Sequence, residues 1–200
     1  MLKIVNEEGY YRELYVAGTE SMTDDEFFVF CEKNRRIRIE RDTNNQIYIL
    51  PQLGLEISRL NCEFSSTVGN WNRVSKTGKV FGSDAGYYLP DTSMRSPDVS
   101  WMSNEKWASL SAKEKRQFPR TAPEFIIELV PPFEKLKDIQ NKMTKWIENG
   151  VLLGWLINPK TETTTIYRAD GTVENVIGFD KKLSGEDVLP GLEIDLAILK

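Results

Sequence analysis

The chain contains no histidine. That absence removes Ser-His-Asp and Cys-His catalysis, HExxH zinc sites and every imidazole base. Acid–base or metal chemistry must then come from carboxylates, lysine, tyrosine or water, which turns any metal toward hard, oxygen-seeking ions such as Mg²⁺ or Mn²⁺. Cysteine is nearly as scarce. Cys31 and Cys62 are the only two, without CxxC spacing, so reduced thiols in a cytoplasm are expected rather than a disulfide framework. No apolar run approaches the roughly 20 residues of a membrane span, and no basic stretch followed by an apolar core marks a signal peptide. Surplus positive charge is missing as well. A net charge of −4 gives no global attraction for nucleic acid, and such a partner would need a local basic surface.

What is present suits a soluble globular chain: 200 residues, 40% hydrophobic and 28% charged, enough for a real core. Residues 1–22 read as an N-terminal arm and 23–200 as a single domain. Tyr10, Tyr11 and Tyr15 in the arm would allow an exchange between copies of a homodimer. "TDDEFF" has the capping-box spacing, Thr23 with Glu26 three residues on, and predicts a helix over about 24–33. "RRIRIERDTNNQIYILP" predicts a hairpin turning at "TNN". A helical stripe through Leu55, Ser58, Cys62 and Gly69, with Ile57, Leu60 and Phe64 beside it, predicts a helix over about 55–74.

"GKVFGSDAGYYLPD" reads as a strand pair around glycine turns, "SPDVSWM" as a brief strand, and 103–117 as a polar excursion with helical turns. A strand at 124–130 precedes the clearest helix, 135–149, whose apolar face is Leu136, Ile139, Met143, Trp146 and Ile147. Gly150 stands where a C-terminal glycine belongs. A short buried strand, an Asp-Gly hairpin, a capping strand and a short helix complete the chain. This order is α/β (α+β): a mixed sheet flanked by helices, with an N-terminal hairpin.

One strand poses a chemical problem. In "FIIELV" Glu128 sits among apolar residues, and a carboxylate there is costly to bury without a partner. Either its face of the strand is wet, or a cation sits beside it. Asp98, in "SPDVSW", is a second acid in the preceding predicted strand. If the two strands pair, both carboxylates face one side and repel unless a divalent cation neutralises them. Mg²⁺ held by one or two carboxylates plus phosphate oxygens would activate water and stabilise phosphate charge. Lys142 lies roughly 90° from the centre of the apolar stripe of its helix, so its stem can follow the core boundary while its ammonium reaches a cleft. Each has a plainer alternative: an edge-strand glutamate, a turn aspartate and a solvated lysine. Lys106, Lys113, Lys115, Arg116 and Arg120 read more readily as a solvated face than as phosphate contacts. The tryptophans read as core, with Trp107 able to stack on bases only if exposed.

In order, "SPDVSWM", "FPRTAPEFIIELV", "LKDIQNKMTKWIENGVLLGWLINP", "IYR" and "VLPGLEIDL" resemble the Uma-two family of endonucleases, within the PD-(D/E)XK, restriction-endonuclease-like superfamily. The resemblance runs from about residue 24 to the C-terminus. It implies an α-β-β-β-α-β core and Mg²⁺-dependent (or Mn²⁺-dependent) cleavage of DNA. It gives Asp98 the place of the motif aspartate, Glu128 that of the motif acid, and Lys142 that of a lysine moved onto the following helix, since Val130 stands where the motif lysine would be. Glu56 matches a family glutamate that would complete the metal site with Asp98 and Glu128. Glu40 matches a recurring acid, although strand alternation sets it with Arg36 and Arg38 on a polar face expected to meet solvent. "VPPFE" at 130–134 departs from the family's polar turn. On this basis the expected function is a Mg²⁺-dependent endonuclease. The alternatives are a non-catalytic nucleic-acid-binding or assembly module on the same fold, and a metal-dependent enzyme acting on another phosphate ester.

Overall fold

The computed structural model describes residues 12–13, 22–35 and 37–200. Of the expected arm, Tyr10, Tyr11 and Tyr15 lie outside the described residues, as does Arg36. Arg12–Glu13 forms β1. Helix α1 (Asp24–Lys33) starts at the expected capping box, with the Thr23 hydroxyl accepting from the Glu26 N–H and the Glu26 carboxylate from the Thr23 N–H. The hairpin is β2 (Arg38–Arg41) and β3 (Ile47–Leu50); Asp42 Oδ1 accepts from the N–H groups of Asn44 and Gln46 across its turn, as Asx residues do.

Helix α2 (Leu55–Ser75) follows. Its buried stripe is Ile57, Leu60, Phe64 and Val68, while Leu55 is 91% exposed. The flanking apolar residues, not the Leu55–Gly69 stripe, thus turn inward, because only they are large and apolar at every turn. Then come β4 (Gly78–Phe81), β5 (Tyr87–Tyr88), β6 (Met94–Arg95), β7 (Val99–Ser103) and the short α3 (Asn104–Ser109). The helical turns expected over 103–117 are α3 and a 3₁₀ turn at Glu114–Arg116, separated at Leu110, whose backbone turns extended as its side chain enters the core. The remainder is β8 (Phe125–Leu129), α4 (Leu136–Glu148), β9 (Leu153–Asn158), β10 (Thr163–Arg168), β11 (Val173–Ile177), β12 (Lys182–Ser184) and β13 (Glu193–Asp195).

Among the described residues these strands form a six-stranded sheet, β11-β10-β9-β8-β7-β4, a five-stranded sheet, β1-β3-β2-β6-β5, and a β12-β13 ribbon. The glycine-flanked strands expected to pair with each other part company: β4 runs antiparallel to β7, and β5 to β6 in the other sheet. Turn chemistry reports that the chain bends, but not which edge it reaches. In the larger sheet β8 and β9 are parallel and the other neighbours antiparallel, so α2-β4-β7-β8-α4-β9 is the α-β-β-β-α-β core.

The two faces of this sheet bury different helices. Phe125, Ile127 and Leu129 join the α2 core, whereas Ile126 joins Ile139, Met143 and Trp146 of α4. At Gly154 a Cβ would meet the end of the Met143 side chain, Cε at 2.7 Å, so α4 and β9 pack closely there. The helix ends at Gly150 with φ 105°, a left-handed conformation that side-chain-bearing residues avoid. Cys31 and Cys62 are free thiols. No helix among the described residues is long and apolar enough to cross a membrane.

Candidate active site

Strand alternation decides where the strand acid points. With residues 125, 127 and 129 committed to α2, Glu128 falls on the α4 side with Ile126. Val99 pairs with Ile127 in the antiparallel β7–β8 ladder. One step back in that register sets Asp98 opposite Glu128, on the same side of the sheet. Helix α4 packs there through Ile139, Met143 and Trp146, carrying Lys142. All three line one cleft of about 460 Å³.

The contacts are dense. Glu128 Oε1 accepts from Trp146 Nε1 at 3.0 Å and lies 2.9 Å from Lys142 Nζ. Lys142 Nζ is equally 2.9 Å from Glu40 Oε1 and donates to the Ser96 carbonyl at 3.4 Å. Glu40 accepts from the Ser96 N–H at 3.0 Å and from Arg95 Nη1 at 3.1 Å. Asp98 Oδ2 accepts from the Leu129 N–H at 2.9 Å, and Oδ1 from Asn61 Nδ2 at 3.2 Å, with Arg38 Nη1 3.9 Å away. The acids are buried: Glu40 is 2% exposed, Glu128 5% and Asp98 7%.

These surroundings set opposite protonation tendencies. Burial pushes Glu128 up to about 7; Lys142 opposes this, but the neighbouring negative charges of Asp98 and Glu40 add to it. Burial would raise Glu40 too, yet Lys142, Arg95 and the Ser96 N–H together hold it at about 2. Lys142 is destabilised as a cation by burial, and Glu128 and Glu40 more than reverse that, raising its pKa above the ordinary value. It is therefore an ammonium at neutral pH, suited to donating hydrogen bonds and offsetting negative charge, not to acting as a base.

Of the expected site residues, the structure brings Asp98, Glu128 and Lys142 together. Glu56 stands apart: it is exposed on the first turn of α2 and does not line the cleft. Glu40 reverses expectation. Alternation does set it on one face of β2 with Arg38, but that face lines the cleft instead of meeting solvent. No local pattern could say that α4 would cover it. Arg38, Arg95, Ser96 and Asn61 were not anticipated; the available signals were the shared parity of Arg38 with Glu40 and the nearness of Arg95 and Ser96 to Asp98 in the chain. The basic residues from α3 to β8 are largely engaged within the protein: Lys106 with Glu124, Lys113 with Asp25, Arg120 with Asp24, and Lys115 over the Trp107 ring. Trp107 is half-buried against Phe81.

The donor set suits a hard cation. Asp98 and Glu128 offer carboxylate oxygens across one strand register, and their mutual repulsion is what a cation relieves. Both contacts to Glu128 fall on Oε1, so Oε2 is the oxygen left for a ligand. Beside Asp98, Asn61 Oδ1 is buried without a partner among the described residues. No three acidic or thiol side chains among the described residues gather into a cage. The offer is two carboxylates, the number Mg²⁺ commonly takes from protein when phosphate and water complete its shell.

The family whose profile matches residues 24–197 is Uma2, described as "Putative restriction endonuclease". No curated protein matches the chain. A crystal structure from Anabaena variabilis, described as "a putative nuclease belonging to DUF820", shares the fold with a TM-score of 0.70 at 19% identity, over 89% of this chain and 97% of that one. The fold is thus restriction-endonuclease-like, and the chain belongs to the Uma2 family.

Proposed function

We propose that the protein is a divalent-metal-dependent endonuclease that hydrolyses DNA phosphodiester bonds in this cleft, with Asp98 and Glu128 holding Mg²⁺ or Mn²⁺. The observation that carries this is the convergence of Asp98, Glu128 and a protonated Lys142 on one cleft. Family membership and fold support a nuclease. The bound ion would supply a Lewis acid at the phosphate and a water of lowered pKa.

The chain's own residues have definable tasks. The Leu129 N–H and Asn61 Nδ2 fix the Asp98 carboxylate, and Trp146 Nε1 fixes Glu128, so neither acid needs to reorganise as a ligand arrives. The Leu129 carbonyl, next to Glu128 on β8, is a candidate third oxygen. Lys142 would donate to a phosphate oxygen or to the attacking water. Glu40, kept ionised by Arg95 and the Ser96 N–H, positions that ammonium. Glu56 has no part in this scheme, because it lies off the cleft. Two free thiols support a cytoplasmic setting.

The test is cleavage of plasmid and oligonucleotide DNA with Mg²⁺ or Mn²⁺. Asp98→Ala and Glu128→Ala should each abolish it, and Lys142→Met should slow it by about 10²–10³-fold, the usual loss of one electrostatic donor. Cleavage that survives both carboxylate changes would rule the scheme out. A chain that binds DNA but neither cleaves it nor takes up a divalent ion would instead be a binding module.

A further inference from the structure

Resting on the nuclease reading, we propose that the cleft takes unpaired DNA, one nucleotide of a single strand at a time, in preference to an intact duplex. Depth is the first observation. The three acids on the floor are at most 7% exposed, in a cleft of about 460 Å³, a size that encloses a small ligand. A duplex holds its phosphates on a continuous outer rim, whereas a flexible strand can turn one phosphate inward.

The lining is the second observation. Leu50, Pro51 and Leu53, with Tyr48 beside them, line the same cleft as the acids. A phosphodiester backbone gains nothing from apolar side chains. A base turned out of its stack does, because every base has a face that packs on apolar and aromatic groups.

Charge is the third. A protein that grips a duplex commonly makes about 6–10 phosphate contacts. Here Lys142, Arg95 and Lys145 are already paired with carboxylates, Glu134 and Asp138 add negative charge to the cleft, and the whole chain carries −4. What remains is local. Arg38 and Arg95 line the cleft as partly exposed guanidinium groups, each with Nη1 already beside a carboxylate, Asp98 at 3.9 Å and Glu40 at 3.1 Å. Two guanidinium groups serve one phosphate, not a run of them.

The experiment uses the full chain and a fluorescein-labelled 20-mer, as a single strand and as its duplex. Binding is read by anisotropy in Ca²⁺ and cleavage in Mg²⁺. The single strand should bind at least about tenfold more tightly, and Arg38→Ala and Leu50→Ser should each weaken that binding about tenfold while duplex binding stays weak. A variant that fails to fold by circular dichroism is set aside, and the wild-type preference alone then decides. Equal or tighter duplex binding, or no binding of either form, would overturn the proposal. Single-strand preference without any cleavage would uphold it and overturn the nuclease reading instead.

Discussion

Strand β2 buries charge on both faces, and the two faces treat it differently. On one, Ile39 joins the core with Phe27 of α1. There Arg41, 2% exposed, lies over the rings of Phe27 and Tyr88 and pairs with Asp24, which Arg120 also engages. One carboxylate is shared by two guanidinium groups, and aromatic rings fill the space around them. On the other face Arg38 and Glu40 line an open cleft, where Glu40, Asp98 and Glu128 crowd together and one carboxyl is driven toward neutrality. Buried charge is common to both regions and so identifies neither as a site. The distinguishing features are the open volume and a repulsion that Lys142 only partly offsets. The same caution applies to unpartnered nitrogens. Arg41 Nε, like Arg38 Nε and Arg95 Nε, is buried without a partner among the described residues, so an unpartnered nitrogen by itself marks neither face as a site.

The comparison breaks most directly at Arg41. Arg41→Met should cost about 3–5 kcal/mol of unfolding free energy, the usual consequence of removing one partner of a buried ion pair, read as a lowered denaturant midpoint. A change within about 0.5 kcal/mol would mean that this face is no more structural than the cleft face.

Acidity sharpens the contrast within the cleft. Glu128 has its pKa raised from 4.5 to about 7, so the fold tolerates its protonated form better. Its contribution to stability is complete below pH 4.5 and is lost as pH climbs through 7, on the order of 3 kcal/mol in all. Glu40, lowered from 4.5 to about 2, does the reverse: its contribution is complete above pH 4.5 and is lost as pH falls toward 2. Glu128→Gln should therefore remove the decline between pH 4.5 and 7 and leave the protein more stable than wild type at pH 8. Glu40→Gln should be less stable than wild type at pH 7 and lose the acid-side dependence. Denaturant midpoints across this range read both, and parallel profiles for the two variants would show that one lysine does not divide the acids as described.

The smallest effect belongs to Glu56. In the first turn of α2 and exposed, it interacts with the helix N-terminus, and Glu56→Ala should lower stability by about 0.5 kcal/mol. A loss of several kcal/mol by the same measurement would reveal a buried role at odds with its position.

Much of this was legible in the residues. The capping box at Thr23, the hairpin turning at "TNN", the glycine after α4 and most of the apolar face of α4 (Ile139, Met143 and Trp146 buried and Ile147 partly so, but Leu136 41% exposed) are local patterns, and local patterns survive folding when tertiary packing agrees with them. Glu128 was legible for a related reason: an acid in an apolar strand is a conflict between levels, and such conflicts gather at functional sites. The place of Glu40 was not legible. Alternation assigned it to the correct face of β2, but a polar face looks the same whether water or another element covers it. The pairing of β4 and β5 failed similarly, because both are short strands that could find an edge anywhere.

The residues alone determined which chemistries were excluded, where most helices and strands form, and that Glu128 was an acid chemically out of place. Only the tertiary structure decided that Asp98 and Glu128 share a side of the sheet, that Lys142 bridges Glu128 to Glu40, and that Glu56 stands apart. The division has one physical cause. Periodicity is a short-range property of the backbone, whereas the environment of a charge is set by whatever distant segment packs against it.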